Sequence, residues 1–251
     1  MNARALKYLS PILLYSCSAI SFTHTGFYTW LPVLYAFAIV PLAELFVAPS
    51  ATNMEDAEED LARKNPFYDG FLYIIVPLQA AALFLFLNTI QTPGLAGWET
   101  AGRIISMGLL CGTFGINVGH ELGHRSKQYE QAMAKFLLST SLYIHFFIEH
   151  NKGHHRHVAT PQDPSSARYN EPVYLFYFRT IIFSYISAWQ IANEETWRRG
   201  KPVFSFYNRM LTTQALQLLL PAAILLIFGP WVLAAFVAAA CFGILLLETV
   251  N

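Results

Sequence analysis

Residues 97–125 read GWETAGRIISMGLLCGTFGINVGHELGHR. The stretch 97–119 is apolar and long enough to cross roughly 30 Å of hydrocarbon, a distance that takes about 20 mostly apolar residues. It ends in His120-Glu121-Leu122-Gly123-His124-Arg125. On a helix His120 and His124 project from one face and can reach one metal ion. A membrane span that carries paired histidines to its mouth sets the reading of everything around it.

Five further stretches of similar character give six expected spans, at about 8–24, 29–48, 71–90, 97–119, 211–228 and 231–249. The expected fold is therefore all-α: a polytopic membrane protein in one membrane domain over 1–251, a bundle of six transmembrane helices with a cytoplasmic helical cap at 120–209. Composition agrees, since 55% of the 251 residues are hydrophobic and only 13% charged, where soluble domains carry about 25% charged residues. The start of the chain resembles a secretory signal in charge, but it lacks a small-residue cleavage site and reads as the first span. Pro32, Pro41 and Pro77 fall within spans, where kinks rather than breaks are expected.

Basic residues set the orientation. Fifteen of the sixteen lie before span 1, between spans 2 and 3 or between spans 4 and 5, and only Arg103 sits toward the opposite end. Lys and Arg mark cytoplasmic loops, so both chain ends and the cap face the cytoplasm. The formal net charge is zero, which leaves no global field for nucleic acid. Cys17, Cys111 and Cys241 lie apart in apolar runs and support neither a disulfide framework nor a cysteine metal cluster. The acidic run Glu55, Asp56, Glu58, Glu59, Asp60 reads as a solvated helical face.

The segment 136–148 decides whether the histidines share a site. Its 13 uncharged residues make about 20 Å of helix, too short to cross. A helix that dips into the interface and returns leaves His120 and His124 on the same side as the cluster Glu149-His150-Asn151-Lys152-Gly153-His154-His155-Arg156-His157. There His150 and His154 repeat the i, i+4 spacing, and His155 points about 100° away, as a ligand of a neighbouring ion would. Gly153 removes a side chain where helices approach closely. Five imidazoles at ligand spacings near a membrane are costly without a partner, so His120, His124, His150, His154 and His155 read as metal ligands, more than one zinc requires. Glu44, Glu121, Glu149 and Asp163 read as carboxylates that orient histidine rings, and Glu44 equally as a snorkelling residue. His157 is balanced between such a role and ligation; His24 and His145 read as hydrogen-bonded packing residues.

The two histidine motifs, followed by Val158-Ala159-Thr160-Pro161-Gln162-Asp163-Pro164, closely resemble the membrane alkane 1-monooxygenases, relatives of membrane fatty-acid desaturases and hydroxylases. The resemblance implies two histidine-ligated iron ions, O2 activation and hydroxylation of the terminal carbon of medium-chain n-alkanes taken from the bilayer. It further implies electrons from rubredoxin and a place in the bacterial inner membrane. That family carries further histidines after the sixth span, in an N-Y-x-E-H-Y-G motif and a last H-x-x-H-H box, whereas this sequence stops at Glu248-Thr249-Val250-Asn251. The expectation is a fragment of a longer polypeptide, or a missing segment supplied by another chain. Alkane chain length is expected to be set by a steric stop among spans 1 to 4. Arg156, Arg168, Arg198, Arg199 and Lys201 offer a docking surface for an acidic electron carrier, or simply obey the charge rule for cytoplasmic loops. Three other readings compete. H-E-L-G-H also serves intramembrane zinc proteases with the glutamate as base, a desaturase acting on lipid acyl chains shares the superfamily, and a metal transporter needs its ligands near the bilayer midplane.

Overall fold

The computed structural model describes residues 10–47 and 66–250, and every regular element among them is helical. We label these α1 (Ser10–Thr23), α2 (Gly26–Glu44), α3 (Pro66–Thr89), α4 (Gly97–Gly123), α5 (Gln128–Thr140), α6 (146–157), α7 (Val173–Arg198), α8 (Arg209–Phe228) and α9 (Pro230–Val250). The acidic run at 55–60 lies outside the described residues.

Five of these helices, α2, α3, α4, α8 and α9, are long and apolar enough to cross a membrane. The expected count was six. The remaining expected span, 8–24, begins outside the described residues, which show 14 residues of it as α1, about 21 Å of helix. The prolines do not break their helices: Pro77 sits inside α3, and α2 accommodates Pro32 and Pro41 around a π turn at Tyr35–Ile39.

The chain divides into two compact units, Met1–Leu110 and Cys111–Asn251. In the first, α1, α3 and the start of α4 are held by one buried cation. The last carbonyls of any helix lack intrahelical partners. Arg103, 1% exposed, supplies donors for them: Nε to Ser21 O (3.2 Å), Nη1 to Thr89 O (2.5 Å) and Nη2 to His24 O (2.8 Å). Glu99 complements it by accepting from the backbone N–H of Gly26 and of Ala96. Tyr15 ties α1 to α3 through Gln79 (2.8 Å). His24 is hydrogen-bonded as expected, its Nδ1 lying beside Ile20 O and Thr23 Oγ1.

In the second unit α4 loosens into a π turn at Cys111–Ile116, one turn before its histidines. Gly112 allows close passage of α9, since a Cβ there would stand 2.7 Å from Gly243 O. The segment 136–148 proves to be a reversal. α5 ends at Thr140, Leu142 takes φ 54°, Tyr143 N bonds back to Leu138 O (2.9 Å), and α6 begins at Phe146. That turn returns the second histidine segment to the first.

Candidate metal centre

The two segments meet. His120 and His124, on the last turn of α4, bring their Nε2 atoms within 2.7 Å of each other. His155 Nε2 lies 3.4 Å from His124 Nε2, and the His150 ring sits edge-on to His120 with centroids 4.1 Å apart. One ligand atom from each of His120, His124, His150 and His155 lies within 4.8 Å of all the others. Nitrogens sharing one ion at about 2.1 Å stand at most about 4.2 Å apart, so small ring rotations bring all four into range. His150 is 5% exposed and its Nε2 has no hydrogen-bond partner, which is the open valence such an ion fills.

Local backbone explains the grouping. The sequence pattern pairs His150 with His154, but residues 150–154 form a π turn. The wider π turn rotates His155 back toward His150, their ring centroids 4.5 Å apart and edge to face. His154 turns aside. Its Nδ1 bonds Asp163 Oδ2 (2.9 Å), while its ring stacks on His150 at 5.1 Å and 20°. Gly153 leaves room for the Glu149 carboxylate, since a Cβ would meet Glu149 Oε1 at 2.5 Å and Ile191 of α7 at 3.2 Å unless those side chains moved.

The stacking continues below the histidines. Phe146 stacks on His150 (4.5 Å, 21°) and Tyr143 on Phe146 (5.5 Å, 24°), which makes a column Tyr143-Phe146-His150-His154. A carboxylate pins each end. Tyr143 donates to Glu248 Oε1 and Thr180 to Glu248 Oε2, both at 2.9 Å. Asp163 accepts from Ser165 N (3.0 Å) and Ser166 Oγ (2.6 Å) besides its bond to His154. Neither Tyr143 nor Glu248 was a candidate by sequence. The available signal was a lone acid near the end of an apolar span.

Electrostatics favour the neutral, metal-binding form of His150 and His124. Burial, reinforced by His120, His155, His154 and His124, pushes His150 down to about 2. Burial and His155 also lower His124. Burial opposes ionisation of Asp163, yet bonds from Ser166, Ser165 and His154 hold it below the usual carboxylate range.

The remaining candidates fall elsewhere. Glu121 pairs with Arg125 at 3.0 Å, a one-turn surface pair. Glu149 is buried with Oε1 unpartnered against Gly153, and burial, with Asp163 and Glu248 nearby, pushes it up to about 7. His157 is half-buried at the end of α6, its carbonyl accepting from Thr160. Glu44 is exposed at the end of α2. His145 is a packing residue between Tyr143 and Tyr185, but its Nε2 has no partner.

Comparison with known proteins agrees with this geometry. The chain is 34% identical over 221 residues to alkane 1-monooxygenase from Ectopseudomonas oleovorans, covering 88% of this chain and 55% of that protein. It is 34% identical over 223 residues to alkane 1-monooxygenase 1 from Alcanivorax borkumensis, with 88% and 55% covered. The hydroxylase component of xylene/toluene monooxygenase from Pseudomonas putida is 27% identical over 228 residues, with 89% and 59% covered. The chain thus spans little more than half the length of the curated relatives it matches. The model of the family described as fatty acid desaturase matches residues 96–251, from just before α4 and through all the histidines of the cluster. A membrane protein with this histidine cluster and this match over most of its length belongs to the fatty acid desaturase family.

Proposed function

We propose that this chain is the histidine-bearing membrane part of an alkane 1-monooxygenase, which hydroxylates the terminal carbon of medium-chain n-alkanes with O2. The observation that carries the reading is the convergence of four imidazoles from two segments, one at the mouth of a membrane-spanning helix. Relatives at about 34% identity that bear the alkane 1-monooxygenase name direct it toward hydrocarbon rather than peptide. The zinc-protease reading is disfavoured by Glu121, which is turned to Arg125, and by the joining of both histidine segments in one cluster.

His120, His124, His150 and His155 fit one ion by donor chemistry and by the open valence on His150. His154 begins the set for a second ion. Iron at these positions would supply O2 activation and the oxidising power to break an unactivated C–H bond. The chain's own work is positional. Asp163 accepts the Nδ1 proton of His154, which leaves the other ring nitrogen as a lone-pair donor. The ring column holds His150 and His154 parallel. The surrounding spans hold the alkane, which partitions from lipid at little cost, whereas leaving water would yield about 0.8 kcal/mol per methylene. Electrons come from rubredoxin, with the exposed Arg156 and Arg168 in its docking surface. The protein sits in the bacterial inner membrane with the histidines on the cytoplasmic side, where the basic loops are enriched.

Metal analysis of the full-length protein purified from membranes tests the reading. Iron in excess of zinc, with O2-dependent conversion of an n-alkane to its 1-alcohol on addition of reduced rubredoxin, is expected. Zinc without iron contradicts it.

A further inference from the structure

α7 is built inside out for a helix in water. After Phe176, which is also buried, its buried positions are small or polar: Thr180, Ser184, Ala188, Ala192 and Thr196. Its outward positions are large and apolar, with Tyr174 75% exposed, Phe178 69% and Ile182 51%, spaced four residues apart on one face. A soluble amphipathic helix shows the reverse arrangement, and an exposed apolar stripe of this length marks a contact surface.

What that surface touches follows from its neighbour. Tyr174, Phe178 and Ile182 form one wall of a groove of about 580 Å³, and Cys241, Ile244 and Leu245 of α9 form the other. α9 is long and apolar enough to cross the membrane. Leu245 and Cys241 lie five and nine residues before its end at Val250, about 7 and 13 Å along the helix axis. The α7 wall is therefore level with the hydrocarbon-facing part of a membrane helix. A bond between Tyr177 Oη and Thr249 Oγ1 (2.6 Å) fixes the two helices together nearer that end. None of the histidines lines the groove, so hydrocarbon lying in it is not presented to the metal centre.

We propose that the groove between α7 and α9 seats the acyl chain of a bilayer phospholipid, and that the first half of α7 lies in the membrane rather than in a water-facing cap. The expected cap at 120–209 is then interrupted by a lipid-facing helix. α7 is not among the helices apolar enough to cross, so it lies along the bilayer and presents one face to it.

Nitroxide labels at Phe178→Cys and Ile182→Cys, with Lys201→Cys as control, test the placement. They are introduced with Cys17, Cys111 and Cys241 replaced by alanine, and the full chain is reconstituted in phosphatidylcholine and phosphatidylglycerol nanodiscs. Collisions with O2 are expected to exceed those with aqueous chromium oxalate several-fold at 178 and 182, and the order is expected to reverse at 201. In parallel, Ile182→Trp and Leu245→Trp should fill the groove and lower the number of phospholipids retained in native mass spectra. Chromium oxalate reaching 178 and 182 as readily as 201 overturns the proposal by placing the face in water. Exclusion of both collision partners overturns it by showing a protein cover. Unchanged phospholipid retention together with lost n-alkane binding in the tryptophan variants overturns it by making the groove a substrate channel.

Discussion

The two units of the chain treat buried polarity differently. In Met1–Leu110 the buried guanidinium of Arg103 is matched by three backbone carbonyls, and the carboxylate of Glu99 by two backbone N–H groups. In Cys111–Asn251 Asp163 and Glu248 are likewise bonded, but part of the buried polarity is left open. Among the described residues, four buried side-chain atoms lack a partner: His145 Nε2, Glu149 Oε1, His150 Nε2 and Gln217 Nε2, all in this second unit. Buried polar groups are normally satisfied, and unsatisfied ones mark strain or an absent ligand. The first unit spends its buried charge on tying helix ends together, and the second leaves open, among others, the Nε2 of His150 in a cluster that could hold a metal ion.

That contrast can be broken by mutation. Arg103→Met leaves three carbonyls without their donor, each at a cost of about 1–3 kcal/mol, so a loss of several kcal/mol in unfolding free energy is expected. Metal bound per folded chain should stay unchanged. His150→Phe should do the opposite, lowering metal affinity by more than about a hundredfold with little change in the melting of the metal-free protein, because the stacked ring is kept and only the buried unpaired nitrogen is removed. If the two variants moved stability and metal loading alike, the division of labour would be lost.

Smaller changes sharpen it. Asp163→Asn keeps the side-chain shape but weakens the hold on His154, and a fall of about 10–100-fold in metal affinity by titration is expected, with little change in melting. The smallest effect is expected at Glu171, away from the cluster. Bonds from Arg179 push this carboxyl down to about 2 from an ordinary 4.5. A carboxyl lowered on folding stabilises above its unfolded value and ceases to do so as pH falls through its folded value. Melting curves of the parent and Glu171→Gln should therefore differ at pH 6 and converge toward pH 2.

The contrast also marks how far sequence reasoning reaches. Hydrophobic length located five spanning helices, and the charge-free, too-short run at 136–148 indicated that the histidine segments share a side. Those inferences rest on periodicity and solvent preference, which act locally. The π turn at 150–154 does not, since no spacing in the sequence marks where a helix takes in one extra residue. Of the five expected ligands the cluster groups His120, His124, His150 and His155, while His154 bonds Asp163. The bond between Tyr143 and Glu248 joins residues 105 apart, a pairing that no local pattern encodes. Conversely, Glu121 at helical spacing from the histidines looked like a group that orients them, but Arg125 one turn on claims it. The first expected span, 8–24, begins outside the described residues, and its end agrees with the end of α1 at Thr23.

Everything rests on imidazoles from two segments meeting at one point, and proximity in the native membrane is its direct measure. In a chain lacking the native thiols, His124→Cys and His155→Cys replace residues whose ring nitrogens stand 3.4 Å apart. A short bifunctional thiol reagent should join them, so that cleavage of the chain between Arg125 and Glu149 leaves both halves linked. Two singly modified cysteines in halves that separate, reached by impermeant reagent from opposite faces of the membrane, would contradict the account.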